Sequence, residues 1–132
     1  MVEDHVRDGR RLAELLSSEL HGRESGPLGR LTVTDADREL EPTEAGAFAY
    51  AVTLDGGDQI ATANVHPDRL HLAIERGVDA AAEAGREAGL RVRPKAVEPP
   101  QTLVFVEDGA EVKRAAVVLA AVVAALDREG SA

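Results

Sequence analysis

Apolar residues recur along the chain with two different periods, and each change of period marks an element. Between residues 3 and 21, Leu12, Leu15, Leu16 and Leu20 fall at helical spacing while Arg10, Arg11 and Glu14 take other sectors, which predicts an amphipathic helix. Gly22 is placed to end it, and Ser25-Gly26-Pro27 breaks the chain. The period then shortens to two. Leu31 and Val33 alternate with Thr32 and Thr34 in a short half-buried strand over 28–36. Residues 37–46 are charged and interrupted by Pro42 and Gly46, so they read as an exposed loop. Phe48, Tyr50, Val52 and Leu54 next alternate with Ala47, Ala49, Ala51 and Thr53, the clearest strand signal in the chain.

Asp55-Gly56-Gly57-Asp58 predicts a tight hairpin turn, because glycines accept the positive φ angles such turns require. The returning strand passes through Ile60, Thr62 and Asn64 to Val65, and His66-Pro67-Asp68-Arg69 forms the next turn. Leu70, Leu72 and Ile74 then alternate with His71 and Ala73, so 31–75 reads as an antiparallel meander. Asp79 caps a thin, Ala-rich helix running through Ala88, and Gly89 follows it. Leu90 and Val92 enter an extended segment that Pro94 confines to an edge. After the stiff connector 98–101, Thr102 to Val106 is a continuous apolar run of the kind found in buried strands. Asp108 and Glu111 make a capping box before a last helix with an apolar stripe of Val112, Ala115, Ala116, Leu119, Val123 and Leu126. Residues 127–132 are expected to fray.

The order helix, meander, helix, strands, helix predicts one domain over 1–132 with an α+β fold. In it an antiparallel sheet of about four to six strands carries helices on one face, a two-layer sandwich. Phe48, Val52, Leu103, Phe105, Leu119 and Val123 are expected to be buried together.

Charge changes the picture. The 132 residues carry 24 acids against 15 bases, a formal net charge of −9. Only Lys95 and Lys113 are lysines, and the core must be filled by Ala, Val and Leu, since there are two Phe, one Tyr and no Trp. Acid excess with scarce Lys and few aromatics matches a protein of a salt-accumulating cytoplasm, although a GC-rich genome also favours Arg and Ala over Lys. It also argues against broad binding to nucleic acid or anionic membranes, which use basic surfaces. No cysteine is present, which excludes disulfides, thiol catalysis and Cys-ligated metals. The longest apolar run, 115–126, is too short to span a bilayer, and the first residues lack a signal-peptide pattern, so a cytoplasmic protein is expected.

Three groups of residues could carry function. Arg91, Arg93 and Lys95 alternate along an extended segment, so a regular strand points all three to one face, where they could hold an anionic ligand or a nucleic-acid backbone. His66, Asp68 and His71 surround a turn and are a candidate metal site or enzyme site. Val117, Ala121 and Ala124 extend the apolar surface of the last helix round its far side, which suggests a homodimer interface or, failing that, an intrachain contact with the first helix through Leu12, Leu16 and Leu20. No nucleophile elbow, phosphate loop or dinucleotide fingerprint occurs, so no catalytic residue and no cofactor are expected.

Asp8-Gly9-Arg10-Arg11, the segment Gly-Leu-Arg-Val-Arg-Pro-Lys at 89–95, and the stretch 103–114 together resemble a small family of uncharacterised proteins from halophilic archaea. That resemblance implies no substrate, cofactor or catalytic residue; it implies a halophile's cytoplasmic protein. The reading from sequence is a non-catalytic interaction or regulatory module acting as a homodimer. Anion binding through Arg91, Arg93 and Lys95 is the alternative, and an enzyme built around His66, Asp68 and His71 is a weaker one.

Overall fold

The computed structural model of the protein describes residues 7–22 and 26–131. Residues 3–6 of the expected first helix, and Ser25 of the expected break, lie outside them. Among the described residues, three helices and a six-stranded, wholly antiparallel sheet make the α+β fold that the sequence predicts. The elements are α1 (Gly9–His21), β1 (Leu31–Thr34), β2 (Ala47–Leu54), β3 (Asp58–Val65), β4 (Leu70–Ile74), α2 (Val78–Glu87), β5 (Val92–Lys95), β6 (Gln101–Val106) and α3 (Val112–Ser131). Strand order is β1-β2-β3-β4-β6-β5. The first four strands form the meander; after α2 the chain passes over one position, and β6 fills the gap.

Helix ends follow local chemistry. Asp8 caps α1 by accepting from the amides of Arg10 and Arg11. Gly9 has no room for a side chain, because a Cβ there would collide with the carbonyl oxygens of His66 and Arg69 in the β3–β4 turn. Gly77, in the left-handed region at φ 65°, begins α2, and the expected cap Asp79 instead sits in the first turn, where a carboxylate suits the helix dipole. Asp108 accepts from the Glu111 amide, and the Glu111 carboxylate reaches back to the amide of Glu107. The expected capping box is therefore present, shifted by one residue on its return bond. A short 3-10 turn over Gly109–Glu111 separates it from α3, and α3 continues to Ser131, beyond its expected end at Leu126.

The core lies between the sheet and the helices. Tyr50, Val52, Ala61, Ala63, Val65, Leu70, Leu72, Ile74, Val104 and Val106 are buried on the helix side, against Leu12, Leu16 and Leu20 of α1 and Leu119, Val122 and Val123 of α3. Tyr50 crosses this layer and donates its hydroxyl to the carbonyl of Ala13 at 2.8 Å. Burial holds that phenol above its ordinary pKa, so it stays a neutral donor. Small residues let α2 come close: a Cβ on Gly85 would meet Val92 Cγ2 at 2.5 Å. The loop 37–46 is mostly exposed, but Leu40 is buried against α1 and its carbonyl accepts from Arg10.

One expectation about the core fails. Phe48 is 41% exposed, and Phe48, Leu103 and Phe105 lie on the other side of the sheet from Val52, Leu119 and Val123. For Phe48 the cause is a bulge in β2 between Phe48 and Tyr50, where Phe48 pairs with Asn64 and Tyr50 with Ala63. One extra residue turns Phe48 onto the opposite face from Tyr50.

Candidate functional site

The register of the strands defines a sheet face on the side away from the core. Its central row crosses all six strands: Thr34, Ala51, Thr62, Ala73, Leu103 and Arg93. Above it run Phe48, Asn64, His71 and Phe105, ending at Arg91, whose carbonyl accepts from the Phe105 amide. Below it, Thr32, Thr53 and Gln59 are joined through the Gln59–Glu75 hydrogen bonds of 3.1 Å, with Gln101 and Lys95 at the far end. Residue size explains its shape. Alanines and threonines fill the middle, so the shelf is shallow, while Phe48 stands at one end and the cations at the other.

The three cations of the sequence analysis do share this face. Arg93 is opposite Leu103 and Lys95 opposite Gln101, while Val92 and Pro94 point to the helix side. Pro94 occupies a position whose nitrogen faces outward from the edge strand, so it removes no bond of the ladder and denies one to any added strand. Arg91 lies with its guanidinium carbon 4.1 Å from the centre of the Phe105 ring and pairs with Glu107 at 3.2 Å. Arg93 and Lys95 are exposed and form no ion pair among the described residues.

His66 and His71 are brought together at the top of the same face. His66 Nε2 and His71 Nδ1 are 2.7 Å apart, and His66 Nδ1 is 2.8 Å from the carbonyl oxygen of Glu44. A carbonyl only accepts, so His66 Nδ1 carries the hydrogen; in the neutral pair its Nε2 then accepts from His71 Nδ1–H. The chain fixes both tautomers and leaves the lone pair of His71 on Nε2. Both residues are buried, at 4% and 9% exposure. Burial, supported by His66, Arg69 and Lys95, pushes the His71 pKa down to about 4. Burial also lowers that of His66, with Arg69 adding and the bond to Glu44 opposing. Gly46, at φ 100°, lies directly over the pair, since a Cβ there would come within 2.8 Å of His71 Cε1.

Asp68 does not join them. It is exposed and holds Arg69 at 2.8 Å, and no group of three or more His, Asp or Glu able to hold a metal occurs among the described residues. The two imidazoles spend their facing nitrogens on each other. Alternation placed His71 outward but gave no sign that Glu44 and Gly46 would close over it.

Val117, Ala121 and Ala124 lie on the outer side of α3, whose flanks pack on α1 and α2. Val117 is 61% exposed and the two alanines are partly covered. Cavities lie elsewhere among the described residues. One of about 510 Å³ separates α1 from the 36–40 segment, over a floor of Ala13, Leu40 and Tyr50. Those of about 490 and 550 Å³ flank α2, and none of the three is lined by His66, His71 or the cations of β5. No helix among the described residues is long and apolar enough to cross a membrane.

The chain belongs to the DUF7993 family, a family of unknown function whose model matches residues 1–132. Neither a curated protein nor a solved structure is detectably similar to it.

Proposed function

We propose that this chain is a non-catalytic binding module that takes an anionic partner on the sheet face that carries none of the described helices, along Arg91, Arg93 and Lys95. One observation carries the reading. β5 is an edge strand whose register against β6 sets Arg93 and Lys95 on the face that bears none of the described helices, and Arg91, hydrogen-bonded to Phe105 just before the strand, joins them there. In a chain of net charge −9, three cations on one face of a four-residue strand and its approach form a local exception. Arg91 is braced by Phe105, and Arg93 and Lys95 are exposed. Glu107 and Glu75 subtract from the patch, so attraction is modest and most visible at low ionic strength. The enzymatic reading has less behind it, because Asp68 is turned to Arg69.

Binding of inorganic polyphosphate to the full chain at low salt tests the proposal. The wild type should bind and Arg93→Glu/Lys95→Glu should not, with the fold intact by circular dichroism. Equal binding by both proteins, or none by the wild type, contradicts it.

A homodimer through α3 is a second reading, supported by Val117 at 61% exposure on the outer face of that helix. Light scattering should then report a dimer that Ala121→Glu converts to a folded monomer; a wild-type monomer ends this reading.

A further inference from the structure

We infer that the ligand of the sheet face opposite the described helices is a single-stranded nucleic acid, lying across the strands from the β5 cations to Phe48; the inference rests on the anion-binding reading. Four features of that face bear on the chemistry of the ligand. The first is Phe48, a large apolar ring 41% exposed on the row that ends at Arg91. An exposed ring on a sheet face is a stacking platform, and stacking tolerates any base because every base has a π-face.

The second is the shelf between ring and cations. Ala51 and Ala73 are buried, at 1% and 7% exposure, and put no bulk above their neighbours, so a base would lie over the partly exposed side chains beside them. Around them Thr62, Asn64 and Gln101 are partly exposed and offer donors and acceptors to base edges. Asn64 turns its amide nitrogen to Thr62 Oγ1 at 3.1 Å, which leaves its carbonyl oxygen to accept from a base.

The third is span. From β2 to β5 there are four inter-strand steps, about 19 Å in all at roughly 4.8 Å each, which a few extended nucleotides cover. A double helix is the wrong shape, because it would touch a shallow shelf along one line and bury neither Phe48 nor the row of threonines.

The fourth is Arg91. Phe105 is buried and braced between His71, with ring centres 5.7 Å apart, and the guanidinium of Arg91, so it does not itself receive a base. It holds the planar guanidinium in place, and such a plane stacks on bases while carrying charge to a phosphate. An acidic peptide would satisfy the cations but leave Phe48 and the central shelf without a role.

The test compares three probes on the full chain at low salt: an unstructured oligothymidylate, inorganic polyphosphate and polyglutamate. The oligothymidylate should bind best, with a log–log salt dependence of slope about −1.5 to −2, for two or three phosphates neutralised on a single strand. Phe48→Ala should weaken it by roughly tenfold, within the range for one stacked base, and leave polyphosphate binding unchanged. Arg93→Glu/Lys95→Glu should abolish both. If oligothymidylate binds no better than polyphosphate and Phe48→Ala changes neither, the nucleic-acid inference is wrong while the anion reading stands. Polyglutamate as the best ligand would overturn it in favour of an acidic protein segment. If no probe binds, both readings fall.

Discussion

The guanidinium of Arg91 rests 4.1 Å from the centre of the Phe105 ring, on the face of the sheet opposite the helices. Each residue accounts for the other. The ring is too large to lie bare, and the cation covers it; the cation is long and flexible, and the ring limits where it can go. Arg91→Ala should therefore raise the exposure of Phe105 and lower stability modestly, by about 0.5–1 kcal/mol. Urea unfolding of the variant checks this, and a variant as stable as the wild type would mean that the contact contributes nothing.

Gly9 is the position least able to accept a side chain, since its neighbours are the backbone carbonyls of His66 and Arg69 rather than flexible side chains. Backbone cannot give way as a side chain can. Gly9→Ala should cost about 3 kcal/mol, at the upper end of overpacking effects, by displacing the start of α1 from the β3–β4 turn. Unchanged urea unfolding would show that the helix start slides without penalty.

The histidine pair makes stability depend on pH. Both imidazoles are held below their ordinary pKa in the folded protein, so the unfolded chain binds protons more readily. The stability they contribute is whole above a pH of about 6.5, the unfolded value, and is lost as pH falls from there toward the folded pKa of His71, about 4. Loss of on the order of 2 kcal/mol across that window is expected from the pair. His71→Gln leaves one titrating ring and should flatten the profile; identical profiles for variant and wild type would contradict the assignment.

The two sides of α3 should respond differently to truncation. Leu119 is fully buried, and Leu119→Ala should cost about 2–5 kcal/mol through lost transfer energy and the cavity left behind. Val117→Ala removes a largely exposed side chain and should change stability by less than about 0.5 kcal/mol. Similar losses in thermal or urea unfolding would mean that the outer face of α3 is covered after all.

Much of this arrangement was legible in the sequence, and the failures have local causes. Period-two alternation located the strands of the meander, and the Arg91-Val92-Arg93-Pro94-Lys95 pattern put three cations on one face because β5 is regular. The same rule misplaced Phe48, since a bulge at Ala49 changes the parity of β2 and no residue type there announces it. The hydrophobic run 102–106 looked buried on both faces, yet only Thr102, Val104 and Val106 meet the helices, while Leu103 and Phe105 lie beneath solvent and Arg91. The His66–His71 contact was not legible as a hydrogen-bonded chain. It depends on Glu44 and Gly46, which reach the pair through a loop whose path no periodicity encodes.

The central claim is that the helix-free face is the working surface, and amide and methyl NMR of the protein titrated with inorganic polyphosphate at low salt tests it most directly. Shifts should concentrate on Arg91, Arg93, Lys95, Leu103 and Phe105, and the signals of Val117, Ala121 and Ala124 on α3 should stay in place. Shifts centred on α3, or none on β5 and β6, would contradict the account.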